Sequence, residues 1–138
     1  MMRRLSKAWL AVAVVLAAGA CGSDSNSTAP IVGASGTWSL QAINGSALPV
    51  TLGSGSQALA VLGSTLTISP NGNYNEVVTV RIAGDAANTT LTEFGTWTFA
   101  NDVVTFNDQS DGIIYTGTVS GNTLTENSGN FVSVYSRQ

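Results

Sequence analysis

Acid–base or nucleophilic chemistry has little to work with here. The 138-residue chain has no histidine, a single cysteine at Cys21, and a single lysine, Lys7, beside Arg3 and Arg4 at its start. The usual nucleophile-and-base pairs need one of these groups, so past residue 21 only carboxylates remain. Glu76 and Glu93 form the one pair worth weighing, since two carboxyls facing one cleft would suit a glycosidase-like mechanism. The plainer alternative puts one or both near strand ends, reaching water, and that is the expectation. No catalytic residue is assigned and the chain is read as a non-enzyme. Asn107-Asp108-Gln109-Ser110-Asp111-Gly112 gathers oxygen ligands in one turn. Its spacing departs from the calcium loop Asp-x-Asp-x-Asp-Gly with its later Glu, so a solvated hairpin turn is expected there. Transition metals have no His and no paired Cys to hold them. Neither a metal nor a cofactor is expected.

The aromatic residues offer binding in place of catalysis. Trp38, Tyr74, Trp97 and Phe99, with Glu76 as polar anchor, are the candidate contacts for a small, largely apolar or amphipathic molecule. The same side chains could also do nothing more than fill a small barrel, because close-packed interiors leave few voids larger than a water molecule.

The elements that must position these residues are short. From about Gly36 onward, runs of β-branched and aromatic residues are punctuated by Gly, Asn, Asp and Ser every eight to twelve residues. That rhythm predicts an all-β sandwich or barrel. Strands are expected near 37–43, 57–62, 64–69, 73–83, 89–99, 102–107, 112–119, 122–127 and 130–136. Tight links at Pro70-Asn71-Gly72, Ala100-Asn101-Asp102 and Ser120-Gly121-Asn122 make sequential strands pair, which gives an up-and-down antiparallel meander. Residues 44–58, rich in Gly and containing Pro49, are expected to form a longer loop that could cover one end. For the hairpin across Gly84–Asn88, a four-residue loop would pair Ile82 with Leu91, Val78 with Gly95, Glu76 with Trp97 and Tyr74 with Phe99. In that register the apolar faces of the two strands coincide.

Residues 1–20 read as an export signal: a basic start, an apolar run from Ala8 to Ala18, then small residues. Its run is too short and too soon interrupted for a permanent membrane helix. The stretch Leu16-Ala17-Ala18-Gly19-Ala20-Cys21 resembles the lipobox of bacterial lipoproteins, which implies that Cys21 becomes the lipid-bearing first mature residue. Cleavage by ordinary signal peptidase at the same small residues is the alternative. A lone cysteine has no intrachain disulfide partner, and its position at the cut favours lipidation. Gly22 after the cysteine favours the outer membrane in a two-membrane cell. Residues 21–33, mostly Ser, Asn, Asp, Thr, Ala, Pro and Gly, read as a flexible tether to a domain over 34–138.

Once residues 1–20 are removed, Arg81 and Arg137 face eight carboxylates, a net charge of −6 over 118 residues. Phosphate neutralisation needs clustered Lys and Arg, so nucleic-acid partners are excluded. Attraction of a basic patch to anionic lipid fails for the same reason, leaving acyl chains on Cys21 as the membrane contact. No protein partner can be identified.

Gly36-Thr37-Trp38 opens the first strand and Arg137 ends the last, which resembles the lipocalin-like (calycin) pattern of a Gly-x-Trp covered by an Arg. Gly36-Thr37-Trp38-Ser39-Leu40, then Asn44-Gly45 and Leu48-Pro49, is similar to the opening of small lipocalin-like domains on bacterial lipoproteins. The resemblance implies a closed barrel of eight or nine strands, with Trp38 and Arg137 as a structural plug at its closed end. Two functions follow as expectations: a membrane-tethered extracytoplasmic lipoprotein that binds a small apolar or amphipathic molecule, or a structural or protein-interaction β-domain of the cell envelope with a filled core.

Overall fold

The computed structural model describes residues 33–138. The expected export segment, Cys21 and all of the expected tether except Gly33 fall outside the described residues. Ten strands follow in order: β1 (Gly36–Ile43), β2 (Ser46–Ala47), β3 (Val50–Leu52), β4 (Leu59–Ile68), β5 (Asn73–Ile82), β6 (Thr89–Ala100), β7 (Val103–Asp108), β8 (Ile114–Ser120), β9 (Thr123–Ser128) and β10 (Phe131–Arg137). From β4 to β10 each strand pairs antiparallel with the next, and β1 pairs with both β10 and β4. The sheet thereby closes into an eight-stranded antiparallel barrel, with β2 and β3 outside the ring.

Local chemistry explains the tight meander. Ala100 pairs with Val103 across a two-residue turn in which Asn101 and Asp102 have φ of 52° and 63°. Asn and Asp tolerate that left-handed backbone, and its twist matches the flanking strands. Ser120 pairs with Thr123, and Ser128 with Phe131, across turns opened by Gly121 and Gly129 at positive φ.

Two expectations change. The segments 57–62 and 64–69 are one strand, β4, whose register against β5 slips between Val61 and Gly63. Gly63 marks a bulge, a role glycine often has inside strands, and not a break. The β5–β6 hairpin is also shifted by four residues from the expected register: Glu76 stands opposite Glu93, and Gly95 opposite Tyr74. An even shift leaves every side chain on its original face, so coinciding apolar faces could not tell the two registers apart. Two contacts select the observed one. The end of β5 stays paired with β4 through Leu59 and Ile82, and Arg81 Nε donates to Asn88 Oδ1 at 2.9 Å, which makes the loop longer. At Gly95 a Cβ would lie 2.1 Å from the Asn107 carbonyl oxygen and 3.0 Å from the Tyr74 ring, so only glycine fits opposite Tyr74.

The interior divides into two halves. One end is closed by the segment before β1. Trp38 is fully buried there, its Nε1 donating to the Ala34 carbonyl at 2.9 Å. The Arg137 guanidinium lies 4.2 Å from the Trp38 ring centroid and donates to the carbonyls of Ser35 and Gly33. Next to this plug pack Leu66, Ile68, Val104, Phe106 and Leu124, all essentially inaccessible to solvent. The other end holds the carboxyls of Glu76, Glu93 and Glu126.

Candidate functional site

β5, β6 and β9 each place one glutamate on an inward-facing position. Strand alternation puts Tyr74, Glu76, Val78 and Val80 on one face of β5. The same alternation brings Glu93 inward on β6 and Glu126 inward on β9. Glu76 and Glu126 are only 4% and 5% exposed, and Glu93 is half-buried. Burying carboxyls at this level is costly unless they are protonated or supplied with donors.

Donors reach them unevenly. Ser64 on β4 donates from its hydroxyl to Glu76 Oε1, and the Tyr135 hydroxyl donates to the same oxygen at 2.8 Å. Tyr135 also lies 3.2 Å from Glu126 Oε2. One phenol has one proton, so it serves one carboxyl fully or shares itself between two. Glu126 Oε1 is buried and has no hydrogen-bond partner among the described residues. Burial pushes the Glu76 and Glu126 carboxyls well above the usual carboxylate range. The Ser64 and Tyr135 hydrogen bonds offset this in part for Glu76, while the nearby Glu76 charge adds to it for Glu126. Glu93 is pushed up to about 7, by burial first and by Glu76 second.

All three carboxyls border a cavity of about 160 Å³ that is partly open to solvent. Its polar wall is completed by Ser128, Ser133 and Tyr135, and its apolar wall is Leu40, Ile43, Leu52, Val61, Val78 and Phe131. Leu52 comes from β3, so the 44–58 segment contributes to the rim. The barrel mouth therefore combines a greasy wall with an acidic floor, an arrangement suited to orienting a small amphipathic molecule.

Of the five residues expected from sequence to contact a ligand, Glu76 alone lines this cavity, joined by Glu93, the carboxyl weighed as its catalytic partner. Tyr74 packs edge-on against Phe106, centroids 4.9 Å apart, and its hydroxyl accepts from Tyr115 at 3.2 Å. Trp97 is 3% exposed and donates from Nε1 to the Ser69 carbonyl at 2.9 Å, while Trp38 is held in the plug. Phe99 lies against Gly33, where a Cβ would meet its ring at 2.7 Å. Glu76 faces Glu93, not Trp97, and Gly95 opens no space beside the anchor because Tyr74 and the β7 backbone occupy it. Nor do the two glutamates sit at strand ends in water: Glu76 is in mid-strand and buried.

Glu126 and Ser133 are site residues that the sequence reading does not single out. The available signal was a charged residue at an inward position between Leu124 and Ser128, a break in the alternation of β9. The 107–112 turn also differs from a fully solvated one. Asp108 is 1% exposed and its Oδ1 accepts from the Ser110 backbone at 2.7 Å, from the Ser110 hydroxyl and from the Asp111 backbone at 3.2 Å. This carboxylate caps its own turn. No known protein-family model matches the chain, and no curated protein matches it in sequence.

Proposed function

We propose that this protein is a membrane-tethered binding barrel of the cell envelope, which takes a small amphipathic molecule into the open end of the barrel. The observation that carries the reading is the cavity of about 160 Å³ between an apolar wall and the buried, unpartnered Glu126 Oε1. Its size narrows the ligand: pockets for drug-sized molecules run from about 300 Å³ upward, whereas a cavity of about 150 Å³ holds benzene. The antiparallel ring of eight strands and the Arg137 guanidinium over Trp38 support a lipocalin-like assignment for the barrel. Export and lipidation at Cys21 rest on the sequence pattern of residues 1–21, with the outer membrane favoured by Gly22. Glycoside hydrolysis is the weaker interpretation of Glu76 and Glu93, because a space the size of one small ring leaves no room for the sugars on both sides of a scissile bond.

Native mass spectrometry of the protein purified from its own host's envelope tests the reading. A small molecule that co-purifies with the wild type and is lost in Ser133→Phe, which projects a ring into the cavity, is the expected result. A bare protein mass in both, with no small molecule released on denaturation, would move attention to the outer surface. There the alternative reading, a protein-interaction domain, has Phe94 and Ile114 at 49% and 70% exposed around the start of the β7–β8 loop.

A further inference from the structure

We propose that the molecule held in this cavity carries a protonated amine, whose N–H groups are received by Glu126 Oε1 and by the neighbouring carboxyls of Glu76 and Glu93. The proposal deepens the binding reading above and rests on it.

The first ground is an unanswered acceptor. Glu126 is nineteen-twentieths buried, borders the cavity, and has one oxygen without a donor among the described residues. Protein interiors seldom leave such an atom unpaired without a reason. The second ground is the balance of donors and acceptors on the cavity wall. Three carboxyls border it, while the Tyr135 proton is engaged by Glu76. With the carboxyls ionised, only the hydroxyls of Ser128 and Ser133 remain as donors from the wall. A ligand that brings donors complements this wall, and one that brings acceptors does not.

The third ground is charge. Arg137 is spent on Trp38 and two carbonyls at the closed end, and Arg81 bonds Asn88 in the β5–β6 loop. With no further cation among the described residues, positive charge at the cavity must come with the ligand or as protons on the carboxyls themselves. An anionic ligand would meet like charge. A bare metal ion is a poor match, since among the described residues no three acidic side chains converge as ligands. An ammonium group offers three donors, and each charge-assisted bond to a carboxylate is stronger than its neutral counterpart. Leu52, Val61 and Phe131 would take the hydrocarbon part.

Protons and the amine compete for the same oxygens. The titratable groups around the cavity are Glu76, Glu93 and Glu126, with the phenols of Tyr135, Tyr115 and Tyr74 and the Asp108 carboxyl behind them. Amine affinity should therefore rise as pH passes through about 7, where Glu93 gives up its proton.

Nuclear magnetic resonance titrations of the full chain in detergent solution, with benzylammonium chloride, benzyl alcohol and sodium benzoate as probes at about pH 8, test the proposal. The expected result is an amine affinity at least about tenfold above the alcohol, with benzoate bound weakest. Glu126→Gln should bring amine and alcohol close to parity while alcohol binding persists. Glu93→Gln, at a more open position, should reduce the preference too and serves if the first variant does not fold. Equal wild-type affinity for amine and alcohol, or a preference for benzoate, overturns the amine assignment and leaves a binding barrel standing. Cavity resonances that respond to none of the three probes, together with a bare native mass, overturn both.

Discussion

Glu76 on β5 and Glu93 on β6 stand directly opposite each other, two carboxyls on one wall of one cavity. Like charges at directly opposed sheet positions are destabilising, and burial adds to the cost of ionising either. Folding therefore favours their protonated forms. Glu93 is held near 7, against 4.5 for a free side chain, and Glu76 and Glu126 are also displaced upward. A carboxyl with a raised folded-state pKa contributes stability that is fully present below its unfolded value and lost as pH rises through its folded value. The barrel should thus melt higher at pH 4.5 than at pH 8, by about 5 °C or more. Differential scanning calorimetry across that range checks it. A midpoint that stays level or climbs toward pH 8 would mean the carboxyls are far better solvated than their burial implies.

The closed end makes a separate demand on stability. Arg137 supplies a cation–π contact to Trp38 and hydrogen bonds to two carbonyls of the segment that covers the barrel end. Arg137→Ala should cost about 1–3 kcal/mol, adding a partly desolvated cation–π contact to the lost hydrogen bonds. Arg137→Lys should recover less than half, because an ammonium cannot stack its plane on the indole while bonding both carbonyls. Urea unfolding of the three proteins gives the comparison. Equal midpoints for Arg137→Ala and wild type would show that the covering segment is held by other contacts.

Glycines at two inward positions differ in what surrounds them. At Gly95 a Cβ would collide with the backbone of Asn107, and at Gly117 it would press on Leu124 at 2.8 Å and Val104 at 3.2 Å. Gly63, at the β4 bulge, has nothing within 4 Å. Gly95→Ala should therefore be the most damaging, costing upwards of about 3 kcal/mol or preventing folding, since backbone cannot yield as a side-chain tip can. Gly117→Ala should fall between, and Gly63→Ala should stay within about 0.5 kcal/mol of wild type. Thermal melts of the set read out the order, and a tolerated Gly95→Ala would contradict the β6–β7 approach described here.

Gly95 also shows where sequence reasoning stops. Alternation and turn residues were enough to place nearly every strand, because period-two hydrophobicity and Asn-Asp or Gly turns act within a few residues. They set Glu76 and Glu93 in phase with inward apolar neighbours, yet left open whether the two carboxyls reach water, which mid-strand burial of Glu76 decides. Which residue stands opposite Glu76, and so which faces Gly95, depends on β4 holding the end of β5 through Leu59 and Ile82, a contact from a third strand that no pairwise pattern of β5 and β6 contains. Glu126 escaped notice for a related reason. Its meaning comes from Tyr135 and Glu76, 9 and 50 positions away in the chain. The four aromatics assigned to a ligand are large, apolar and inward-facing, properties that core residues and pocket residues share; only the position along the barrel separates them.

The proposed anchoring rests on a segment outside the described residues and can be tested there directly. If Cys21 carries acyl chains, wild type should partition into the detergent phase and Cys21→Ser into the aqueous phase, because more than one chain is needed for stable membrane attachment. Both proteins in the aqueous phase at the same mature mass would point to cleavage by ordinary signal peptidase.

Tyr135 joins the stability of the barrel to the wall of its cavity. Its hydroxyl donates to Glu76 Oε1 and approaches Glu126 Oε2, and burial together with those two carboxyls keeps the phenol protonated throughout the accessible range. Tyr135→Phe preserves the ring and its packing but removes that proton. Below the pKa of the carboxyls the loss is modest, about 1 kcal/mol, because a protonated Glu76 can donate for itself. Above it Glu76 keeps Ser64 as its remaining donor, and the loss should grow to about 2–3 kcal/mol, the range for hydrogen bonds to charged groups. The penalty of Tyr135→Phe should accordingly grow once pH rises past the point at which Glu76 ionises, and Ser64→Ala, which removes the other donor to the same oxygen, should follow the same trend. Combining the two should cost less, once Glu76 is ionised, than the sum of the single changes, since a Glu76 with neither donor is relieved by binding a proton. Urea denaturation of the four proteins across a pH series decides the matter: a penalty for Tyr135→Phe that stays level throughout would mean that Glu76 keeps its proton in the folded barrel.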